Sequence, residues 1–595
     1  MNNAARRNKR GSLRLFTALL LAAALLFCGC DELGLPLIHI GNTDAPAQTE
    51  APDDKIDFRL VEFGSMPYRR PDLDAMEKLF AETAEFADGA RAGDAAELER
   101  KLDECWDAYD EFFTLETIAM LRSDIDQTDE YYSAEYEYFL DREADIAEWM
   151  DTTLIACACS KAKVSEDLLA GYTEEDSEPY SDRMLELMAR ENSLLIAYRE
   201  ALMLDEIEIN GEVQSFTEYV SDPLISDEEY AEAKLAYYRA CNEIAAPIYA
   251  ELVKVRRAMA EEYGCSYEEL QYYSFGRDYT PEQVSSYLEG VAGEVADYYC
   301  ELMESDPYSM VDYWSLSESG LLELLEAATS HMGESIKDSL RFMEKYHLYD
   351  AAATSVKSTA SYTVYLRSYD APFCFLGAYG DAEDFLNMAH EFGHFADARI
   401  NYDSTFSLDL SETYSQGMAN LALLKSREYL SPERYNSLLL MHLLSNLSIF
   451  AEQTAYADFE SRAYALPDSE LTVENLNALA LECADRYGAS ATDDAEGESA
   501  FYWTQVNHLF EQPFYVISYC ISADAAIQIA EMEMNEPGSG VAVYEKLLDW
   551  ESGYFLEELS RAGLVSPFSV GRAAHNLELV ETIVADELSE LMPAA

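Results

Sequence analysis

The stretch AEDFLNMAHEFGHFADARI (382–400) decides how this chain is read, because His390 and His394 stand four residues apart inside it. The segment reads as a helix. Asp381 is expected to cap its start, with Asp384 in the first turn, where a carboxylate meets the positive end of the helix dipole. On a helix, positions four apart share one face, so both imidazoles point the same way. Glu391 follows the first histidine directly, close enough to work on a water held between the rings. Two neutral nitrogen ligands with an adjacent carboxylate base make the H-E-x-x-H arrangement of metal-assisted hydrolysis, with zinc as the usual ion. Gly393 inside the helix costs about 1 kcal/mol against alanine. Either the helix tolerates it, or another element comes close to the backbone there.

A catalytic zinc keeps three protein ligands and an open position. The third ligand is expected from the following segment, DLSETYSQGMANLALLKSREYL (409–430), which reads as a second helix opened by Asp409. Glu412 is the candidate, with 17 residues between it and His394. It has a second reading, because Asp409-Leu410-Ser411-Glu412 also matches a capping box.

Upstream, SYTVYLRSYD (361–370) alternates and is rich in β-formers, and APFCFLGAYGD (371–381) reads as a second strand. The segment Phe375, Gly377, Ala378 and Tyr379 is expected to pair with a substrate backbone as an added strand. Further upstream the chain is helix after helix from about Pro71 to Tyr346. Leu73, Met76, Leu79 and Phe80 recur at helical spacing, as do Leu115, Ile118 and Leu121, and Tyr131 to Met150 reads as one half-buried helix. The exception is EIEINGEVQSF (206–216), where alternating Ile207, Ile209 and Val213 flank Asn210-Gly211, a hairpin signal. No fixed-period repeat is present.

The N-terminus has a different character. Arg6, Arg7, Lys9, Arg10 and Arg14 form a basic start, and Leu15 to Gly29 carries no charge. That run is shorter than the ~20 residues that span a bilayer and fits a secretory leader. It ends Leu26-Phe27-Cys28-Gly29-Cys30, which resembles a bacterial lipoprotein box, with Cys30 after a small residue as the expected lipidated position and Cys28 as the alternative. The expected division is a signal peptide at 1–29, an acidic flexible tether at 30–58, an N-terminal helical domain at 59–200 and a catalytic domain at 201–595. The protein is therefore expected at the cell membrane, lipid-anchored on its extracytoplasmic side. The later cysteines are scattered without metal-knuckle spacing and read as buried free thiols.

The 595 residues carry 40 Lys and Arg against 114 Asp and Glu, a net charge of −74. Such a surface repels phosphate backbones and excludes nucleic acid as a partner. Most of these carboxylates read as solvated helix faces.

FLNMAHEFGHFADA (385–398) followed by ETYSQ (412–416) resembles the thimet oligopeptidase and oligoendopeptidase F family, whose pattern is H-E-x-G-H and then a zinc-binding Glu in an E-x-x-S-Q context. His390, Glu391, Gly393, His394, Glu412, Ser415 and Gln416 carry the match. NHLFEQPFYVISYCISADAA (507–526) is similar to the family's His and Tyr-rich helix, through His508, Tyr515 and Tyr519. EIEINGEVQSF and AEEYGCSYEEL (260–270) also resemble oligoendopeptidase F regions. The chain departs from the family in a shortened stretch before Glu412, in Ala419 where many members carry a second Glu, and in Ala371–Leu376 where they carry a basic segment.

The resemblance implies a mainly α, two-lobed helical shell around a deep channel, with a small β-sheet beside the H-E-x-x-H helix. It implies one zinc on His390, His394 and Glu412, and short peptides as substrates. Glu391 is then the general base, and His508, Tyr515 and Tyr519 stabilise the oxyanion. Read from residues alone, the tyrosines could equally be packing, since the chain holds 42 of them. The competing reading is a catalytically inactive lipoprotein that captures peptides or metal.

Overall fold

The computed structural model describes residues 56–588 apart from 175–180, 223, 494 and 496. The leader, Cys30 and all but the last few residues of the tether lie outside the described residues. The architecture is mainly helical, with a two-stranded and a three-stranded sheet. Among the described residues no helix is long and apolar enough to cross a membrane.

Helix starts follow their capping chemistry. Ser226 and Glu229 form a reciprocal capping box at the head of Asp227–Tyr263, and Thr280 with Gln283 does the same ahead of Pro281–Glu294, with Pro281 in the first turn. One expected helix is two. Tyr131–Met150 is divided between Glu130–Leu140 and Glu143–Cys159. The break falls at Asp141 and Arg142, where the Arg142 guanidinium donates to the Tyr138 carbonyl at 2.6 Å and satisfies an acceptor of the ended helix.

The hairpin forms as read. β1 (Glu206–Ile209) pairs antiparallel with β2 (Glu212–Ser215), and Asn210 and Gly211 both take positive φ, 56° and 83°. A two-residue turn with both φ values positive matches the twist of the strands it joins.

The second sheet is β3 (Tyr349–Asp350), β4 (Tyr362–Leu366) and β5 (Ala371–Phe375), in the order β3-β5-β4. All five residues of β5 are buried, as expected of a central strand, whereas β4 alternates buried and half-buried. This corrects the expectation that a strand extends to Tyr379. β5 ends at Phe375, fully buried with a neighbour on each side. Beyond it the backbone N–H groups are used internally: Gly377 donates to Ser361 Oγ at 3.0 Å, Ala378 to the Leu376 carbonyl at 2.8 Å, and Tyr379 to Asp384 Oδ1 at 2.9 Å.

The sheet has two edges, the two-residue β3 and the longer open edge on β4. Cys374 N–H and Leu376 N–H turn away from β4 toward the carbonyls of Leu348 and Asp350. Thr363 faces Cys374, and Tyr365 faces Pro372, which has no N–H. By the alternation of antiparallel pairing, the backbone groups of Thr363 and Tyr365 therefore point away from β5.

Residues Phe80, Leu98, Phe112, Ile146 and Leu154 belong to a smaller apolar core of the N-terminal helices. The larger core runs from Phe63 through Phe373, Phe392, Tyr414 and Leu444 to the C-terminal helices. The nine described cysteines are free, and six are buried.

Candidate metal centre

Two helices meet at the site. The histidine helix is Glu383–Asn401 and the glutamate helix is Leu408–Ser426. Asp381 Oδ1 accepts from Glu383 N–H at 3.0 Å, and the Asp384 carboxylate reaches back to the N–H groups of Tyr379 and Gly380. The second helix starts earlier than expected. Ser407 is its cap, accepting from Leu410 N–H, and Asp409 lies inside, buried. The capping-box reading of Glu412 thus falls, and its carboxylate is free for another task.

That carboxylate faces the histidines. One ligand atom from each of His390, His394 and Glu412 lies within 4.8 Å of the other two. His390 Nε2 is 3.9 Å from Glu412 Oε2, and the two imidazole rings are 5.0 Å apart. Burial holds both histidines well below the ordinary imidazole range, His394 at about 4, so both stay neutral with a lone pair to offer. Burial likewise pushes Glu412 up to about 7, opposed by the hydrogen bonds from Tyr515 and Ser415. A cation among these donors would supply the missing counter-charge. Two imidazoles and a carboxylate form the donor set of a catalytic zinc, and the residues fit that ion.

Each ligand is held from behind. Ser411 Oγ is 3.1 Å from His394 Nδ1, and a proton on Nδ1 donated to Ser411 leaves Nε2 with its lone pair. Tyr515 donates to Glu412 Oε1 at 2.9 Å, and Ser415 Oγ lies 3.4 Å from Oε2. Tyr515 is aimed by strained backbone. Phe514, just before it, takes φ of 65°; its N–H donates to Glu460 at 2.9 Å and its carbonyl accepts from Arg277 at 2.7 Å. Arg277 also donates to Ser518, which donates to Asp409 at 2.6 Å, tying this turn to the glutamate helix.

The other expected residues fall into two groups. His508, Tyr515 and Tyr519 cluster, with ring centroids 5.0 to 5.8 Å apart, and Tyr519 Oη stands 3.3 Å from His508 Nε2. Burial lowers His508 to about 4. Gly377, Ala378 and Tyr379 instead lie before the N-terminus of the histidine helix, which itself begins about two turns before His390. Glu391 is buried, and its Oε2 accepts from Thr363 Oγ1 on β4 at 2.9 Å.

Sequence reasoning missed Thr363, Ser411, Arg277 and His442. His442 lies near enough to His390 to help depress its protonation, and it bonds to Asn420 through Nε2. Only Ser411, beside Glu412, carried a local signal.

A family model described as the Peptidase M3 N-terminal domain matches residues 63–165. No curated protein matches the sequence. Pz peptidase A with inhibitor 2 is similar over 88% of this chain and 100% of its own, at 20% identity and a TM-score of 0.69. A putative oligoendopeptidase F from Bacillus anthracis covers 89% and 98% at 20% identity, TM-score 0.64. Oligoendopeptidase-F from Enterococcus faecium covers 88% and 99% at 16% identity, TM-score 0.55. At these identities the likeness is one of fold: mainly helical, M3-peptidase-like, with small β-sheets.

Proposed function

We propose that this chain is a zinc-dependent oligopeptidase acting on short unstructured peptides, held by lipid on Cys30 at the outer face of the cell membrane. The observation that carries the chemistry is the convergence of His390, His394 and Glu412 within 4.8 Å, with Glu391 next to the first ligand. The M3-like fold supports the reading; the division into a helical domain at 59–200 and a catalytic domain at 201–595 is part of the same proposal.

His390, His394 and Glu412 would hold the zinc, which when bound polarises a carbonyl and acidifies a water. Glu391 takes a proton from the attacking water as its oxygen adds to the scissile carbonyl carbon. It returns that proton to the amide nitrogen as the C–N bond breaks. Tyr519 donates its one hydroxyl proton to the developing oxyanion, with the neutral His508 beside it as the donor to the Tyr519 oxygen. Tyr515 has a single hydroxyl proton and gives it to Glu412, so it joins Tyr519 only by leaving that carboxylate. The substrate backbone lies along the open edge of β4, through the outward groups of Thr363 and Tyr365, rather than along Phe375–Tyr379.

A narrow channel between two helical lobes restricts entry to extended chains. A folded protein would first have to unfold, at a cost of roughly 5–15 kcal/mol. Unstructured peptides shorter than about twenty residues are therefore cut, and stably folded proteins are not.

The deciding experiment compares wild type with Glu391→Gln on a peptide library, with zinc analysis of both. The variant should keep one zinc and bind peptide, yet cleave at least ~100-fold more slowly. A chelator should stop wild-type cleavage. Equal inertness of both proteins would favour the competing reading, a lipoprotein that binds peptide or metal without cutting.

A further inference from the structure

We infer that Thr363 is a positioning residue for Glu391, fixing one carboxylate oxygen so that the other meets the water; this rests on the proposed role of Glu391 as base. Thr363 Oγ1 stands 2.9 Å from Glu391 Oε2 and 2.9 Å from the Glu391 carbonyl oxygen. A hydroxyl has one proton to give. The carbonyl of a mid-helix residue already has the N–H four positions on, whereas the buried carboxylate is ionised in its proposed role as base. A charged acceptor makes the stronger bond, so the proton goes to Oε2.

The support behind Thr363 is rigid. Its Cβ is branched, which restricts χ1, and β4 is bonded along its inner side to the fully buried β5. Loss of this bond removes one restraint on χ3 of the Glu391 carboxylate and loosens the direction of its proton-accepting oxygen. The same residue offers its backbone outward at the open edge of β4. One strand position therefore carries both the contact to the base and the line on which substrate lies. A peptide seated on that edge is in register with Glu391 through a single residue.

The test uses the full zinc-loaded chain with Thr363→Val, which keeps the shape and removes the hydroxyl, and Thr363→Ser, which keeps the hydroxyl. Thr363→Val should lower kcat about 10- to 100-fold, the scale of a hydrogen bond to a charged group. Its KM, zinc content and melting temperature should match wild type, with KM within about 2-fold. Thr363→Ser should restore most of kcat. In a crystal structure of Thr363→Val, the Glu391 carboxylate should leave the position it holds in wild type. Added to Glu391→Gln, Thr363→Val should cost nothing further.

Wild-type kcat in Thr363→Val, or an unmoved Glu391 carboxylate, overturns the inference. Equal loss in the Ser and Val variants also overturns it, because packing rather than the hydroxyl would then matter. If Glu391→Gln cleaves at the wild-type rate, the base reading itself fails. If Glu391→Gln is inactive while Thr363→Val is fully active, only the positioning role fails.

Discussion

A Cβ on Gly393 would lie 2.6 Å from the Cα of Ser415 and 2.6 Å from the Tyr414 carbonyl, so the histidine and glutamate helices touch backbone to backbone at this point. Both neighbours are main-chain atoms and cannot swing aside. Helix propensity alone would favour alanine by about 1 kcal/mol. Overpacking costs roughly 1–3 kcal/mol and acts in the opposite direction. Gly393→Ala should therefore lower the melting temperature. It should also weaken zinc binding at least about tenfold, because the histidines and Glu412 sit on the two helices being forced apart. A melting temperature at or above wild type, with unchanged zinc affinity, would show that the helices have slack here.

Tyr515 gives its hydroxyl proton to Glu412. Loss of such a ligand-orienting bond typically weakens metal binding 10- to 100-fold. Tyr515→Phe should do so while keeping the fold. Competition with a chromogenic chelator reads the affinity directly. Unchanged affinity combined with reduced kcat would instead assign the hydroxyl to the reacting carbonyl.

Asp397, one turn beyond His394, is buried and accepts from Asn401 at 2.7 Å and Thr405 at 2.8 Å. Burial raises its carboxyl to about 7 against these bonds. Below pH ~4 the folded and unfolded states both hold the proton. Between about pH 4 and 7 the unfolded chain releases it and the folded chain does not, so this group weakens folding as pH rises, and the penalty is constant above that range. Asp397→Asn removes the ionisation. Its stability relative to wild type should rise by roughly 2–3 kcal/mol between pH 5 and pH 8. Denaturant midpoints of both proteins at the two pH values test this, and a pH-independent difference would mean that Asp397 ionises normally in the fold.

Cys30→Ser should release the protein from membranes or block its processing. Metabolic labelling with a fatty acid reads the outcome. Labelling that persists in this variant would move the anchor to Cys28 or elsewhere.

Signals that act over one or two turns of chain were legible. Asn210-Gly211 forced a two-residue turn, and the His390/His394 spacing put two imidazoles on one helix face whatever packed around them. Boundaries were less so. Asp409 looked like a cap and is a buried partner of Ser518 and Arg277, because Ser407 two residues earlier took the capping role. The strand expected to run on to Tyr379 stops at Phe375. The N–H groups beyond it are taken by Ser361, Leu376 and Asp384, none of them on β5 itself.

The sequence by itself determined the elements and the donor types: a helix bearing H-E-x-x-H, a second helix offering Glu412, a hairpin and a strand pair. These depend on residue period and on contacts within a few positions, which the backbone imposes locally. Only the tertiary structure decided that Glu412 faces the histidines, that Tyr515 holds it, and that Thr363 bonds to Glu391. It also decided that β4 rather than β5 has an open edge. Those relations join residues 18 to 103 positions apart, counted from His394 to Glu412 and from Glu412 to Tyr515. Their distances are set by how closely whole helices pack. Here that approach is fixed by the absence of a side chain at Gly393.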